Sequence, residues 1–252
     1  MAAERIIVTT DRRSFLTAEW RDLLLLNYEI DPSLLEPLVP AGTQLDSWNG
    51  RTLISLVGFR FLRTRVLGCA VPLHGAFEEV NLRFYVRRCV ADGPPRRGVV
   101  FVREIVPRRA VAWVARSVYG EPYQRLPMAH RIGRSGAGHP EHIEYAWKFH
   151  RDAWRMAGRI EGPSEPLTRP SEAEFVSEHY WGYTRQPDGA TLEYEIDHSP
   201  WNVAPVVEPR FEAPNPVLYG EAFTRVLTRP PHSAFYAEGS AVTVFRGSRV
   251  PG

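Results

Sequence analysis

The chain of 252 residues has almost no lysine: Lys148 is the only one, and the other 30 of its 31 basic side chains are arginine. Arginine stays protonated and forms no imine, so a Schiff-base mechanism has one candidate side chain in the whole sequence. Cysteine is nearly absent too. Cys69 and Cys89 make neither a disulfide framework nor a metal-type cluster, and free thiols in a reducing compartment are the expected state. Long apolar runs are also missing. Leu23-Leu24-Leu25-Leu26 is the longest purely aliphatic stretch and is far too short to span a bilayer, and MAAERIIVTTDRRSFL contains no signal-type apolar segment. The expectation is a cytoplasmic protein. A net charge of +2 on a chain with 24% charged residues argues against a dedicated polyanion binder.

What is present is a chain of strands. With 44% hydrophobic residues, one domain over 1–252 has ample material for a core. Arg21 to Ile30 reads as a buried strand, and Asp31-Pro32 as an N-cap and first helical position opening a short helix through SLLEPL. Asn49-Gly50 marks a tight hairpin between Gln44–Trp48 and a strand over Thr52–Phe61. Phe77 to Arg87 alternates most regularly, and Gly98–Val106 is its hairpin partner. Ala110–Tyr119 reads as a helix. His142–His150 alternates again, with Ile143, Tyr145, Trp147 and Phe149 opposite Lys148. Gly162–Pro170 is a connector, and Ser171 with Glu174 is a capping box opening a helix to about Tyr180. Thr191–His198 and Ala234–Phe245 supply late strands. This order, mostly meander strands with two or three helices, predicts an α+β fold with an antiparallel, barrel-like sheet.

The candidate chemistry starts on the strand Phe77–Arg87. Glu79, Asn81, Arg83 and Tyr85 share one face, with Val80, Leu82 and Phe84 on the other. The polar row is either a solvent face or the wall of a cavity, the apolar row then meeting covering helices. His198 shares parity with Tyr194 and Ile196, so it points inward, as a core histidine or as a site residue with Trp201 beside it. His139, Glu141, His142 and Glu144 match no zinc spacing and read as surface charge; no metal is expected. The pairs Arg87-Arg88, Arg96-Arg97 and Arg108-Arg109 read as a solvated rim.

Several segments together resemble the YqjF-like family of uncharacterised bacterial proteins. They are LLLLNYEIDPSLLEPLVPAG, LDSWNG, the F-x-E-x-N-x-R-x-Y pattern of Phe77, Glu79, Asn81, Arg83 and Tyr85, AVAWVAR followed by Pro122-Tyr123, EHYWGY and HSPWNV. The family's usual basic residue in its E-R-Y pattern is His179 here. That family is more distantly similar to the acetoacetate decarboxylase-like proteins, which implies a curved, barrel- or cone-like antiparallel sheet around an internal cavity, with flanking helices. The resemblance places the decarboxylase glutamate on Glu79 and its imine-forming lysine in Tyr119-Gly120-Glu121-Pro122, where there is no lysine. Lys148 lies on a different strand.

The expected function is therefore small-molecule acid–base chemistry without a Schiff base. Glu79, Arg83 and His198 form the candidate catalytic set, and Asn81, Tyr85, Glu121 and Trp201 the candidate substrate-binding set. A non-catalytic protein that binds a small organic acid, and a structural protein with a filled barrel, are the alternatives. No cofactor is called for. A small-molecule ligand is the expected partner, rather than nucleic acid or a membrane, and a homo-oligomer is left open.

Overall fold

The computed structural model describes residues 13–70, 75–108, 120–136 and 138–250. The helix expected over Ala110–Tyr119 lies outside the described residues. In chain order the described strands are β1 (Ser14–Glu29), β2 (Gln44–Leu45), β3 (Leu53–Val66), β4 (Cys69–Ala70), β5 (Phe77–Arg88), β6 (Arg96–Val106), β7 (Tyr123–Arg125), β8 (Met128–Arg134) and β9 (Pro140–Phe149). They continue with β10 (Asp152–Ile160), β11 (Glu165–Pro166), β12 (Trp181–Arg185), β13 (Thr191–His198), β14 (Asn202–Glu212), β15 (Ser233–Ala237), β16 (Ala241–Phe245) and β17 (Ser248–Val250). Two α-helices are described, α1 (Glu172–Ser177) and α2 (Glu221–Leu227).

Local sequence explains the punctuation. Asn49 and Gly50 both take positive φ, 48° and 79°, and close the turn between Trp48 and Arg51, but the expected hairpin stops at that bridge, because Gln44–Leu45 pairs with β5 instead of β3. Ser171 Oγ accepts from the Glu174 N–H at 3.1 Å and caps α1, which ends at Ser177, short of the expected Tyr180. Asp31 caps as expected, but it opens two short 3₁₀ turns, Pro32–Leu34 and Glu36–Leu38, because Pro37 cannot donate to a continuing α-helix.

The sheet is mixed rather than purely antiparallel. Most pairs are antiparallel, but β6 pairs in parallel with β7 (Glu104 beside Tyr123) and with β12 (Gly98 beside Trp181). A long connection between two strands lets the second return in the same direction, which a tight hairpin cannot do. The pairings run from β1 to β3, β5, β6, β12, β13 and β16, and return to β1.

A second layer, β8, β9 and β10, is joined to the first through β14. Val203–Pro205 of that strand pair with β15, and Val206–Glu212 pair with β10. This layer covers the apolar face of β5. Val80, Leu82 and Phe84 share one hydrophobic cluster with Ile143, Tyr145, Trp147, Trp154 and Met156. Where covering helices were expected, the described residues bring strands to this face, because β9 presents its aromatic row inward; Val226 and Leu227 of α2 join the same cluster. Lys148, on the other face of β9, is exposed.

Candidate functional site

With Val80, Leu82 and Phe84 packed against the second layer, the polar row of β5 must point the other way, and it too is buried. Glu79 and Asn81 are each 2% exposed and Arg83 7%. Buried polar groups are tolerated only with partners or a ligand-filled cavity. Here there is a cavity of ≈ 140 Å³, and Glu79, Asn81 and Arg83 line it.

One part of the wall is acidic. Glu79 Oε1 accepts from Asn81 Nδ2 at 3.1 Å, and Oε2 accepts from the Tyr123 hydroxyl at 3.0 Å. Glu104 lies opposite Asn81 on β6, and the Tyr194 hydroxyl donates to Glu121. Glu104, Glu121, Tyr123 and Tyr194 all line the same cavity. Burial pushes the Glu79 carboxyl up to about 7, against the pull of its Asn81 and Tyr123 hydrogen bonds and the Arg83 charge. Burial likewise pushes Glu121 up to about 8, opposed by Tyr194 and reinforced by Glu79. Glu104 is raised well above the usual carboxylate range by burial, then by Glu121 and Glu79. Carboxyls sharing a low-dielectric cavity do not all ionise together at neutral pH. The group therefore holds protons where exposed glutamates have lost theirs.

Arg83 makes no ion pair among the described residues. One terminal nitrogen donates to the Val176 carbonyl at 2.8 Å, while Nε is buried without a partner. Asn81 Oδ1 and Glu104 Oε2 are also buried and unpartnered. A buried guanidinium beside unpartnered donors and acceptors is suited to a ligand with an anionic or strongly accepting group.

The remaining wall is aromatic. Trp20 packs edge-on against Phe59 at 5.4 Å, Phe61 at 5.9 Å and Trp201 at 6.3 Å. His198 is stacked between Tyr180, at 4.8 Å, and Trp201, at 4.5 Å, and its Nδ1 lies 3.0 Å from the Ser199 carbonyl. His198 and Trp201 both line the cavity. Tyr85 does not. Its ring lies behind the wall, stacked on His179 at 4.7 Å, and its hydroxyl meets Ser55 Oγ at 2.5 Å. Among the described residues, no group of three His, Cys, Asp or Glu side chains is arranged to hold a metal ion. No described helix is long and apolar enough to cross a membrane.

Of the residues expected from the sequence, Glu79, Asn81, Arg83, Glu121, His198 and Trp201 converge on this cavity. Glu104, Tyr123, Tyr194 and His179 join them without having been assigned a role. Glu104 escapes strict alternation because the β5–β6 register shifts between Leu82 and Arg83. The bulge puts Glu104 on the same cavity wall as Val99 and Phe101, three residues from Phe101, where a regular strand would have put Arg103. An acid within the apolar run VVFVREIV was the available signal.

Comparison with known proteins agrees with this architecture. Residues 17–241 match the family model DUF2071, described as an uncharacterized conserved protein. The uncharacterized protein YqjF of Bacillus subtilis (strain 168) is 32% identical over 189 residues, 72% of each chain. Among solved structures, acetoacetate decarboxylase from Legionella pneumophila superposes with a TM-score of 0.69 at 13% identity, covering 100% of this chain and 92% of that one. An acetoacetate decarboxylase-like enzyme from Sphingomonas wittichii RW1 gives 0.65 at 14% identity, with full coverage of both chains. The enduracididine biosynthesis enzyme MppR, complexed with pyruvate, gives 0.64 at 12% identity, covering 98% and 93%. The fold is acetoacetate decarboxylase-like.

Proposed function

This chain belongs to the DUF2071 family of uncharacterized conserved proteins, and within it we propose an enzyme-like protein whose cavity performs acid–base chemistry on a small organic acid or carbonyl compound. The observation that carries the reading is Glu79. It is a buried carboxyl facing the cavity, held by Asn81 and Tyr123, and it ionises at about 7. A general acid or base is most effective when its pKa lies near the working pH, and such values cluster at functional sites.

In this reading Glu79 exchanges the proton, Asn81 and Tyr123 hold it, and Arg83 receives the ligand's carboxylate or carbonyl oxygen. Glu121 keeps the acidic wall protonated. His198 and Trp201 set the width of the aromatic side, while Tyr85 backs the wall through His179. The strand circuit from β1 round to β16 is read as a barrel closed around the cavity. The reaction proceeds without an imine: Lys148 is exposed on β9, in the other layer, and contributes nothing to the cavity wall.

Pyruvate is a suitable probe, because it is the ligand named with MppR. Ligand-observed NMR of pyruvate with the wild type should show binding that weakens by roughly ten-fold or more in Arg83→Gln, the scale of one charge-assisted hydrogen bond. Treatment of the same mixture with borohydride should leave the protein's mass unchanged. A stable adduct at Lys148, or undiminished binding by Arg83→Gln, contradicts the reading.

A further inference from the structure

His179 follows α1 by two residues and lines the same cavity as Glu79 and Arg83. Its ring is fixed from two sides, stacked on Tyr85 at 4.7 Å and met edge-on by Phe175 at 5.8 Å and 90°. Neither Nδ1 nor Nε2 has a hydrogen-bond partner among the described residues, and both are buried. Leaving such groups unpaired in the interior is unfavourable, because their hydration is lost and nothing replaces it. Stacking alone does not account for an imidazole here, since a phenyl ring would stack equally well without that cost. His198 differs: its Nδ1 is engaged by the Ser199 carbonyl. The two open nitrogens of His179 are the kind of buried, unpartnered polar groups that a bound molecule satisfies.

The ring is neutral and so keeps a lone pair that can accept a proton. Burial, followed by the positive neighbours Arg97 and Arg83 and by His198, holds the imidazole well below its ordinary range. At neutral pH one ring nitrogen therefore accepts and the other donates.

We propose that His179 is a second acid–base residue of this cavity, one that takes a proton from the carbon beside the carbonyl of a bound ketone or keto acid while Glu79 protonates the carbonyl oxygen. The inference rests on the reading of Glu79 as the group that exchanges a proton with the ligand. In the step, the substrate C–H bond breaks and its proton forms an N–H bond on His179. The C–H electron pair becomes the C=C bond of an enol, and the carbonyl π pair takes the proton released by Glu79. His179 ends as imidazolium and Glu79 as carboxylate, so charge balances without a co-reactant. The reverse step in heavy water returns a deuteron to carbon.

The test is deuterium incorporation into the methyl group of pyruvate, and into benzylacetone, a ketone whose phenyl ring suits the aromatic wall, followed by proton NMR in heavy water. The wild type should exchange the protons faster than protein-free buffer. His179→Phe and Glu79→Gln should each lower the rate by about 100-fold, the lower end of acid–base contributions. His179→Phe keeps the stack on Tyr85 and removes the unpaired nitrogens, so its denaturation midpoint should equal or exceed the wild type's. His179→Ala should regain part of the exchange when free imidazole is added. Exchange by His179→Phe at the wild-type rate, with Glu79→Gln slowed, overturns the role of His179 and leaves the Glu79 reading standing. A wild type no faster than buffer overturns the enolisation step, while the Glu79 reading is decided separately by the titration of its side-chain carboxyl in carbon-13 NMR of labelled protein.

Discussion

Tyr123 donates its phenolic hydrogen to Glu79 Oε2 at 3.0 Å, from a strand running parallel to β6. This bond favours the ionised carboxyl and opposes the larger effect of burial. Tyr123→Phe removes the donor and keeps the ring. It should raise the pH at which Glu79 ionises. Carboxyl infrared difference spectra of the variant and wild type across neutral pH would show a shift to higher pH; a shift to lower pH would mean that the bond favours the acid form.

The acidic wall also makes stability depend on pH. Glu79 and Glu121 have folded-state values of about 7 and about 8, against 4.5 for the free group. Between the unfolded and folded values the native state holds protons that the unfolded chain has lost, so stability falls as pH rises through that window. Below about 4.5 this contribution is fully present, and above about 8 it has been lost. Urea unfolding from acid to alkaline pH should show this decline, and Glu79→Gln should flatten it. An unchanged slope in the variant would contradict the assignment.

Gly182 provides room for the Tyr194 ring. It faces Tyr194 across the β12–β13 pair, and a Cβ on it would stand 2.1 Å from the ring's Cζ. Gly182→Ala must push the tyrosine aside, and the hydroxyl leaves Glu121 as it moves. Overpacking of this kind costs about 1–3 kcal/mol. The expected outcome is a lower denaturation midpoint together with weaker pyruvate binding; a variant matching wild type in both would show that the ring relaxes freely.

Asp22 fastens the two layers together. Its carboxylate accepts from Arg60 on β3, from the Tyr236 hydroxyl at 3.0 Å and from Arg134 on β8 at 3.4 Å, and its backbone carbonyl accepts from the Tyr145 hydroxyl at 2.6 Å. Its φ of 56° is one asparagine tolerates, so Asp22→Asn keeps the backbone while removing the charge. Breaking a fully buried pair costs about 3–5 kcal/mol, and the partly exposed Arg60 brings the expectation to about 2 kcal/mol. Equilibrium urea unfolding measures it, and a change below about 0.5 kcal/mol would refute the fastening role.

Where alternation was regular, the sequence was readable. The polar row of β5, the aromatic row of β9 and the inward parity of His198 all reflect the two-residue period of a strand, and all three hold in the structure. Lys148 was placed by the same rule. The features that failed to show depend on distant partners. The bulge that brings Glu104 inward is set by the β5–β6 pairing, and Tyr123 reaches Glu79 only because β7 lies parallel to β6. Strands β8, β10, β12 and β14, and helix α2, gave no distinct pattern: in β10, for example, DAWRMAGRI alternates only in part, because Gly158 lies against Val206. His179 looked like one polar residue in EHYWGY; only the stack on Tyr85 and the cavity beside it give its nitrogens meaning.

The central claim is that Glu79 is a buried acid–base group ionising near neutrality, and it can be read directly. Carbon-13 NMR of protein labelled at the glutamate side-chain carboxyls should show a resonance titrating at about 7 that is missing from Glu79→Gln. A Glu79 resonance that titrates near 4.5, as an exposed glutamate does, would contradict the account.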